Sequence, residues 1–418
     1  TVVLSLLTIV AALWFARRHA GPWAGGLAAA AMAVNPYLVT YATETRNYAL
    51  FALLGVVAAG LALDLLSDRG RYTHVALGVV LALTMLAHAW GLFFTVALLG
   101  VLLVEALLGR DRILVQRSVV AGVVTAVVYA PWLPTFLEQR RRTGAPWNGR
   151  YSILSTLDQM VAYIGNRPVA AVVGLMAVVG VVAAIRASRF DIDPLLVAIS
   201  CAGTIALAFL ASYIDPIWQA RYGIVVVGAA LMVVAIVMSR TTVGVAAFTV
   251  ALAAMAVYSV TDVVGRPVDA KPEADVRNVA AALREEPPTY VLADQGSLTN
   301  LRFHIGDEVG ERVTFVAPLG VLTDPTIYDW RDDLQRLRAA DPDALADELI
   351  ADAQPGDTFV VMLRRGFEGP RPDEPNEWIA LYQGTLKDLA DAVRGDERVA
   401  AVDERDIGSW TVFTYARR

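Results

Sequence analysis

Ten stretches of this chain are apolar over about 20 residues, the length that crosses the hydrocarbon of a bilayer. They cover 1–16, 22–41, 47–66, 73–89, 91–108, 117–137, 168–186, 194–213, 219–238 and 242–263. In hydrocarbon each segment must satisfy its own backbone N–H and C=O groups, so each stretch has to be a helix. The charge content agrees: only 18% of the residues are charged, against about 25% in soluble domains. The expected architecture is an α-helical polytopic membrane domain of about ten helices over residues 1–264, followed by a small extracytoplasmic α/β domain over 265–418.

Basic residues set the expected orientation. Arg17, Arg18, Arg69, Arg71, Arg110, Arg112, Arg117, Arg186, Arg189 and Arg240 fall in one set of alternating loops. The other set holds Arg46, Arg140, Arg141, Arg142, Arg150, Arg167 and Arg221. The positive-inside rule puts the larger set in the cytoplasm, with the chain in the plasma (inner) membrane. Glu44, Arg46, His88, the 138–167 loop and Arg221 then lie at the extracytoplasmic face. The first apolar run is followed, not preceded, by arginines, unlike a signal peptide. It is read as a transmembrane helix of a chain whose N-terminus is missing.

The composition changes after Val264. Residues 1–264 carry a net charge of +6 and 265–418 a net −12. The tail alternates strand-like runs (TYVLAD, RVTFVAP, DTFVVMLR, WTVFTYA) with helical stretches at 274–285, 329–339, 342–353 and 376–394. That pattern predicts an α/β domain, placed outside by the even number of spans. It has no G-x-G-x-x-G or P-loop pattern. The one cysteine, Cys201, allows no intrachain disulfide and no cysteine-based metal site. The four histidines, at 19, 74, 88 and 304, show no ligand spacing.

Four outer helix ends carry residues that a bilayer disfavours. The segment NPYLVTYATETRNYAL opens an apolar run with Glu44 and Arg46, flanked by Tyr41 and Tyr48. On a helix, residues two apart do not face each other. The two charges therefore need separate partners, or the segment is unwound there, whereas Tyr41, Glu44 and Tyr48 would share a face. In YAPWLPTFLEQRRRTGAPWNGR a helix is expected to end at Pro131 and Pro134, before Arg140, Arg141 and Arg142, with Trp132 and Trp147 nearby. Arginine forks bind phosphate in bidentate fashion, and a basic outer loop also suits plain lipid headgroups. DPIWQARYGI adds Asp215, Arg221 and Tyr222, and LAHAWGLF adds His88 and Trp90. A lone histidine is more often a packing residue, but together these ends can line one outward-facing cavity. Asp191-Ile192-Asp193 resembles the Asp-x-Asp of nucleotide-sugar enzymes but falls in a predicted inner loop, and is read as solvated charge.

The spacing Pro36-x4-Tyr41-x2-Glu44-x-Arg46-x-Tyr48 closely resembles a signature of the C-type (GT-C) glycosyltransferases, in particular the family 39-like (dolichyl-phosphate-mannose–protein mannosyltransferase-like) bacterial proteins. HAWGLF around His88, APWLP at 130–134 with its basic loop, and Arg221-Tyr222 are similar in order and spacing. The resemblance covers residues 1–264. It implies a GT-C-like fold and an inverting transferase. A sugar, mannose-like, would pass from a polyprenyl-phosphate donor to a cell-envelope glycan, lipid or protein acceptor at the outer face. Arg46 is then the better candidate for phosphate. Glu44 would orient sugar hydroxyls, another side chain or a divalent cation, and no cofactor is certain. Tyr41, Tyr48, His88, Arg140, Arg141, Arg142, Arg221 and Tyr222 complete the expected substrate site. The resemblance places the catalytic base, an Asp, in a first outer loop upstream of Thr1, so no residue of the chain is expected to be that base. The bilayer is an expected partner and nucleic acid is not. Two other classes compete: a non-enzymatic lipid-linked-glycan transporter and a membrane-anchored envelope scaffold. A transporter predicts charges deep inside several helices, yet here they cluster at helix ends.

Overall fold

The computed structural model describes all residues except 45, 144–147, 149–150, 190, 266–271, 372–373 and 375, and the side chains of 272–274. The described chain divides into two compact units, Thr1–Glu138 with Arg150–Gly265, and Gln139–Gly149 with Arg266–Arg418.

The first unit is all helical. In order it contains α1 (Val2–Val34), α2 (Pro36–Ala42), α3 (Tyr48–Leu66), α4 (Thr73–Ala87), α5 (Gly91–Leu108) and α6 (Arg112–Tyr129). After a 3-10 turn at Ala130–Trp132 come α7 (Leu133–Thr143), α8 (Ile153–Val161), α9 (Arg167–Arg186) and α10 (Ile192–Ile214). A second 3-10 turn, Ala220–Gly223, leads into α11 (Ile224–Met238) and α12 (Thr242–Gly265). By length and composition, eight helices among the described residues are able to cross a membrane, and α4 is a shorter apolar helix.

The 33-residue α1 is two helices joined at a sharp kink. Ala20 and Gly21 leave the helical region, Gly21 at φ 85°, and Pro22 restarts the helix. A Cβ on Gly25 would stand 2.9 Å from the Leu13 carbonyl oxygen. In a continuous helix those residues would be about 18 Å apart, so the two arms fold back on one another. Counting these arms separately and adding α4 gives ten apolar helical segments among the described residues, near the positions expected from hydropathy, except that the expected 22–41 span is broken at Asn35 into the second arm of α1 and α2.

One expectation needs correction. The helix over 117–137 does not simply stop at Pro131 and Pro134. The α-helix gives way to the 3-10 turn at Ala130, and α7 resumes with Pro134 in its first turn, where a missing N–H costs nothing.

Helix α11 lies at the centre of the unit, packed against α1, α3, α9, α10 and α12. Val225, Ala229, Met232, Ala235 and Ile236 are buried along it. The outer helices expose apolar residues instead, such as Val104 on α5, Val123 on α6, Leu175 on α9 and Val257 on α12. An apolar surface of this kind is stable in lipid and not in water. One end of the unit holds a polar network: Arg18 Nε donates to Asp64 Oδ1 at 2.9 Å, Arg69 to the Arg18 carbonyl at 2.8 Å, and Arg240 to Asp191 at 3.0 Å. Arg117 pairs with Asp68 at the same end.

The second unit is an α/β fold on a six-stranded sheet of order β3-β2-β1-β4-β6-β5. Its elements are α13 (Pro272–Glu285), β1 (Tyr290–Leu292), α14 (Gln295–Ile305), α15 (Asp307–Gly310), β2 (Thr314–Ala317) and β3 (Gly320–Val321). They continue with α16 (Asp333–Arg338), α17 (Pro342–Asp352), β4 (Thr358–Arg364), α18 (Glu377–Gly395), β5 (Val399–Ile407) and β6 (Trp410–Arg417). Strand β1 pairs in parallel with β2 and β4, and the other ladders are antiparallel. Apolar side chains cover both sheet faces, one core around Val291, Phe315 and Met362, the other around Val316, Phe359 and Val361.

Candidate functional site

At the end of the helical unit opposite the Asp64 network, three chain reversals meet. The first is the α2–α3 junction. Asn35, fully buried, caps α2 by accepting from Leu38 N at 3.0 Å, and Pro36 starts the helix. Helix α2 ends at Ala42 and α3 begins only at Tyr48, so Glu44 and Arg46 sit on unwound chain. That is the second of the two ways in which charges two apart can be housed. Glu44 is half-buried and Arg46 exposed. The unwinding does not separate the phenols: the Tyr41 and Tyr48 rings meet edge to face at 4.8 Å. Arg46 acts electrostatically on Tyr48, and Glu44 and Arg221 both act on Tyr41.

The second reversal is the α4–α5 corner. His88 Nδ1 accepts from Trp90 N at 3.1 Å. That nitrogen carries no proton, so the imidazole is neutral and Nε2 is its donor. Its ring lies 4.2 Å from the Tyr222 ring and 5.3 Å from Phe51. The third is the 3-10 turn before α11. Half-buried Arg221 lies 5.4 Å from the Tyr222 ring, and its charge acts on Tyr41, Tyr48 and His88. Its Nε is buried and has no acceptor among the described residues.

The structure therefore brings together Tyr41, Glu44, Arg46, Tyr48, His88, Arg221 and Tyr222. Arg140, Arg141 and Arg142 lie near the end of α7, in the stretch Gln139–Gly149 that belongs to the second unit. There Arg142 holds Asp332 Oδ2 through Nε at 2.9 Å and Nη2 at 2.6 Å, and the Asp332 N–H donates to the Arg142 carbonyl at 2.7 Å. Trp147 and Arg150 lie outside the described residues.

Residues not singled out in the sequence complete the site. Tyr37 packs edge to face on Tyr41 at 4.8 Å and on Tyr163 at 4.9 Å. The Tyr163 hydroxyl donates to the Ala220 carbonyl at 2.8 Å, next to Arg221, and its own carbonyl accepts from Asn35 Nδ2 at 2.9 Å. Trp218 is buried against Trp90 at 5.3 Å and donates to Gln159 at 3.0 Å. The four-residue spacing of Tyr37 and Tyr41 was the available signal. Tyr163 had none beyond being aromatic. Behind Tyr163 runs an apolar groove of about 610 Å3 among α8 to α12, lined by Met160, Val173, Cys201, Phe209 and Val234 among others. Among the described residues no three His, Cys, Asp or Glu side chains come together as a metal site.

No protein-family model matches the sequence, and no curated protein does. Solved structures do resemble it. The crystal structure of ArnT from Cupriavidus metallidurans bound to undecaprenyl phosphate superposes with a TM-score of 0.60 at 16% identity, over 99% of this chain and 82% of that one. ArnT in the apo state gives 0.59 at 16% over the same shares. Arabinofuranosyltransferase AftD from Mycobacteria gives 0.52 at 17%, over 99% of this chain and 33% of that one. At such identities the likeness is one of fold, and that fold is the GT-C type which the Tyr41–Tyr48 segment led us to expect.

Proposed function

We propose that the chain is a membrane glycosyltransferase of the GT-C type. It takes a sugar, mannose-like, from a polyprenyl-phosphate carrier and passes it, with inversion, to a hydroxyl of an envelope glycan, lipid or protein at the outer face of the plasma membrane. The observation that carries this reading is the meeting of Arg221, Arg46 and Tyr41, Tyr48 and Tyr222 beside the apolar groove headed by Tyr163. An amphiphile with a phosphate head and an isoprenoid tail matches both halves. The ArnT structure holds such a molecule, undecaprenyl phosphate, and AftD is a glycosyltransferase.

In the reaction a bond forms between the acceptor oxygen and the anomeric carbon as the bond from that carbon to the phosphate oxygen breaks. The phosphate keeps the electron pair. Arg221 and Arg46 stabilise that developing charge, since fixed donors aimed at it need no reorganisation. The unsatisfied Arg221 Nε–H is one such donor. Phenolic hydroxyls and the His88 Nε2–H hold sugar or phosphate oxygens, and Glu44 orients sugar hydroxyls. The acceptor's proton needs a carboxylate base, a role that the resemblance gives to an Asp of an outer loop rather than to Glu44. On this reading residues 1–264 are the transferase domain and 265–418 a soluble extracytoplasmic α/β domain.

The test is release of polyprenyl phosphate from polyprenyl-phosphate mannose by membranes holding the protein together with the outer loop expected to carry the Asp base, and an envelope acceptor extract. Transfer that Arg221→Ala abolishes supports the reading. Membranes inactive with mannose and with other polyprenyl-phosphate sugars would overturn it.

A further inference from the structure

The second unit carries a cleft of its own. From β1 the chain crosses through α14 to β2 on one side, while β4 lies on the other side of β1. Successive connections thus leave in opposite directions between β1 and β4. In open α/β sheets, ligands sit at such a switch point, outside the carboxyl ends of the strands. A cleft of about 360 Å3 lies there, within the range of about 300–1,000 Å3 usual for small-molecule sites.

Asp294 follows β1 and Arg364 ends β4, so both reach the cleft from strand ends. Tyr328, Trp378, Tyr382 and Trp410 form its walls. Trp378 and Tyr382 are stacked at 4.9 Å and 22°. Trp378 Nε1 donates to Asp333 at 2.8 Å, and the Tyr382 hydroxyl accepts from Gln295 N at 2.8 Å. The Arg364 guanidinium stands 5.0 Å from the Trp410 ring. These walls are fixed by the fold before any ligand enters. Trp410 Nε1 is buried and has no partner among the described residues.

The chemistry of the cleft selects against anions. A switch-point phosphate would take the open N-terminus of the helix after β1. Here the Asp294 carboxylate occupies that N-terminus, accepting from Ser297 N at 3.0 Å and from its hydroxyl at 2.5 Å. The turn has no glycine-rich pattern to cradle a phosphate. What remains is aromatic faces, one carboxylate and one guanidinium around a neutral space. The negative faces of aromatic rings attract the polarised C–H bonds of a sugar ring, and charged groups make the stronger hydrogen bonds to its hydroxyls.

We infer that this cleft is a saccharide-binding site for a neutral glycan. A neighbouring cleft of about 350 Å3 shares Leu363, Arg364 and Phe367 with it, but Arg394 and the paired Lys387 and Asp391 also line that space, so the neutral site is the first cleft alone. The site is separate from the proposed transferase centre and does not depend on that reading.

The test is saturation-transfer NMR on the full chain in nanodiscs. The probes are methyl α-mannopyranoside, methyl α-glucopyranoside, methyl α-arabinofuranoside and a methyl mannobioside, with adenosine monophosphate as anionic competitor. At least one glycoside should receive saturation at its ring C–H protons and resist the competitor. Trp378→Ala and Asp294→Asn should each weaken it at least about tenfold, a change of about 1.4 kcal/mol. Asparagine remains a good N-cap, so the second variant keeps α14 and reports on the ligand. Arg46→Ala, in the other unit, should leave binding unchanged. Absence of transfer to every glycoside, equal binding by both cleft variants, displacement by adenosine monophosphate, or loss in Arg46→Ala would each overturn the assignment.

Discussion

Arg221 is the residue on which the proposed chemistry most depends, because it joins the three reversals electrostatically and keeps a buried N–H without an acceptor. Loss of one preorganised donor to a developing anion typically lowers kcat about 100- to 1,000-fold. Arg221→Ala should therefore lose donor turnover on that scale while the protein stays folded in the membrane. Arg221→Lys should be nearly as poor, since a point charge does not replace a planar fork. Turnover within a few-fold of wild type in both variants would make Arg221 an interfacial charge. Seven of the ten residues singled out in the sequence meet at this end of the helical unit, and they were noticeable there because a charge or a phenol at the head of an apolar run needs a reason. Tyr37, Tyr163 and Asn35 were not, since aromatic and amide groups near helix ends are ordinary in membrane proteins. Their role appears only when Asn35 is seen holding the Tyr163 carbonyl from 128 positions away.

Elements were legible where hydropathy alone defines them and illegible where partners do. The hairpin of α1 shows in the sequence as Arg17, Arg18 and the Gly21-Pro22 break. The packing of α3 on α11 does not. A Cβ on Gly55 would fall 2.0 Å from the Val225 carbonyl oxygen, so Gly55→Ala must push two central helices apart. Overpacking of this kind costs about 1–3 kcal/mol. The thermal midpoint of Gly55→Ala should drop, whereas Gly100→Ala, with nothing within 4 Å of its Cβ, should not. In the tail, β5 and α14 were missed. Strand β5 (VAAVDERDI) is an edge strand with mostly exposed side chains, and α14 (QGSLTNLRFHI) is nearly as polar as a loop. Charge pairs there set a pH response. Arg398 holds the Asp396 carboxyl down at about 2 and also reaches Asp347 on α17 at 2.6 Å. A carboxyl lowered in the folded state stabilises it above the unfolded value of about 3.9, and that contribution fades as pH falls toward about 2. Asp396→Asn should flatten this part of the acid unfolding curve of the tail, by a small amount because the pair is partly exposed. An unchanged curve would mean that the pair contributes nothing to folding.

At the scale of the whole molecule the helical unit has two chemically different ends, and orientation follows from which end faces the cytoplasm. One end holds Arg18, Arg69, Arg117, Arg189 and Arg240, tied to Asp64, Asp68, Asp191 and helix-end carbonyls. The other holds the phenols with Arg46 and Arg221, and α12 ends there, its Ser259 hydroxyl donating to the Val34 carbonyl at 2.7 Å. Short loops rich in arginine stay on the cytoplasmic side during insertion, and the proposed use of a lipid-linked donor outside would need the phenol end to face outward. Both arguments give one orientation. Single cysteines introduced into a Cys201→Ala background test it with a membrane-impermeant thiol reagent on intact cells. Arg46→Cys, on exposed chain, and Phe303→Cys, on an exposed position of the tail, should label from outside. Arg69→Cys and Arg189→Cys should label only after the membrane is opened. Labelling of Arg69→Cys from outside would invert the molecule and place the Arg221 cluster in the cytoplasm. The proposed transfer from an outward-facing polyprenyl carrier would then fail with it, while the saccharide cleft of the second unit would stand on its own measurement.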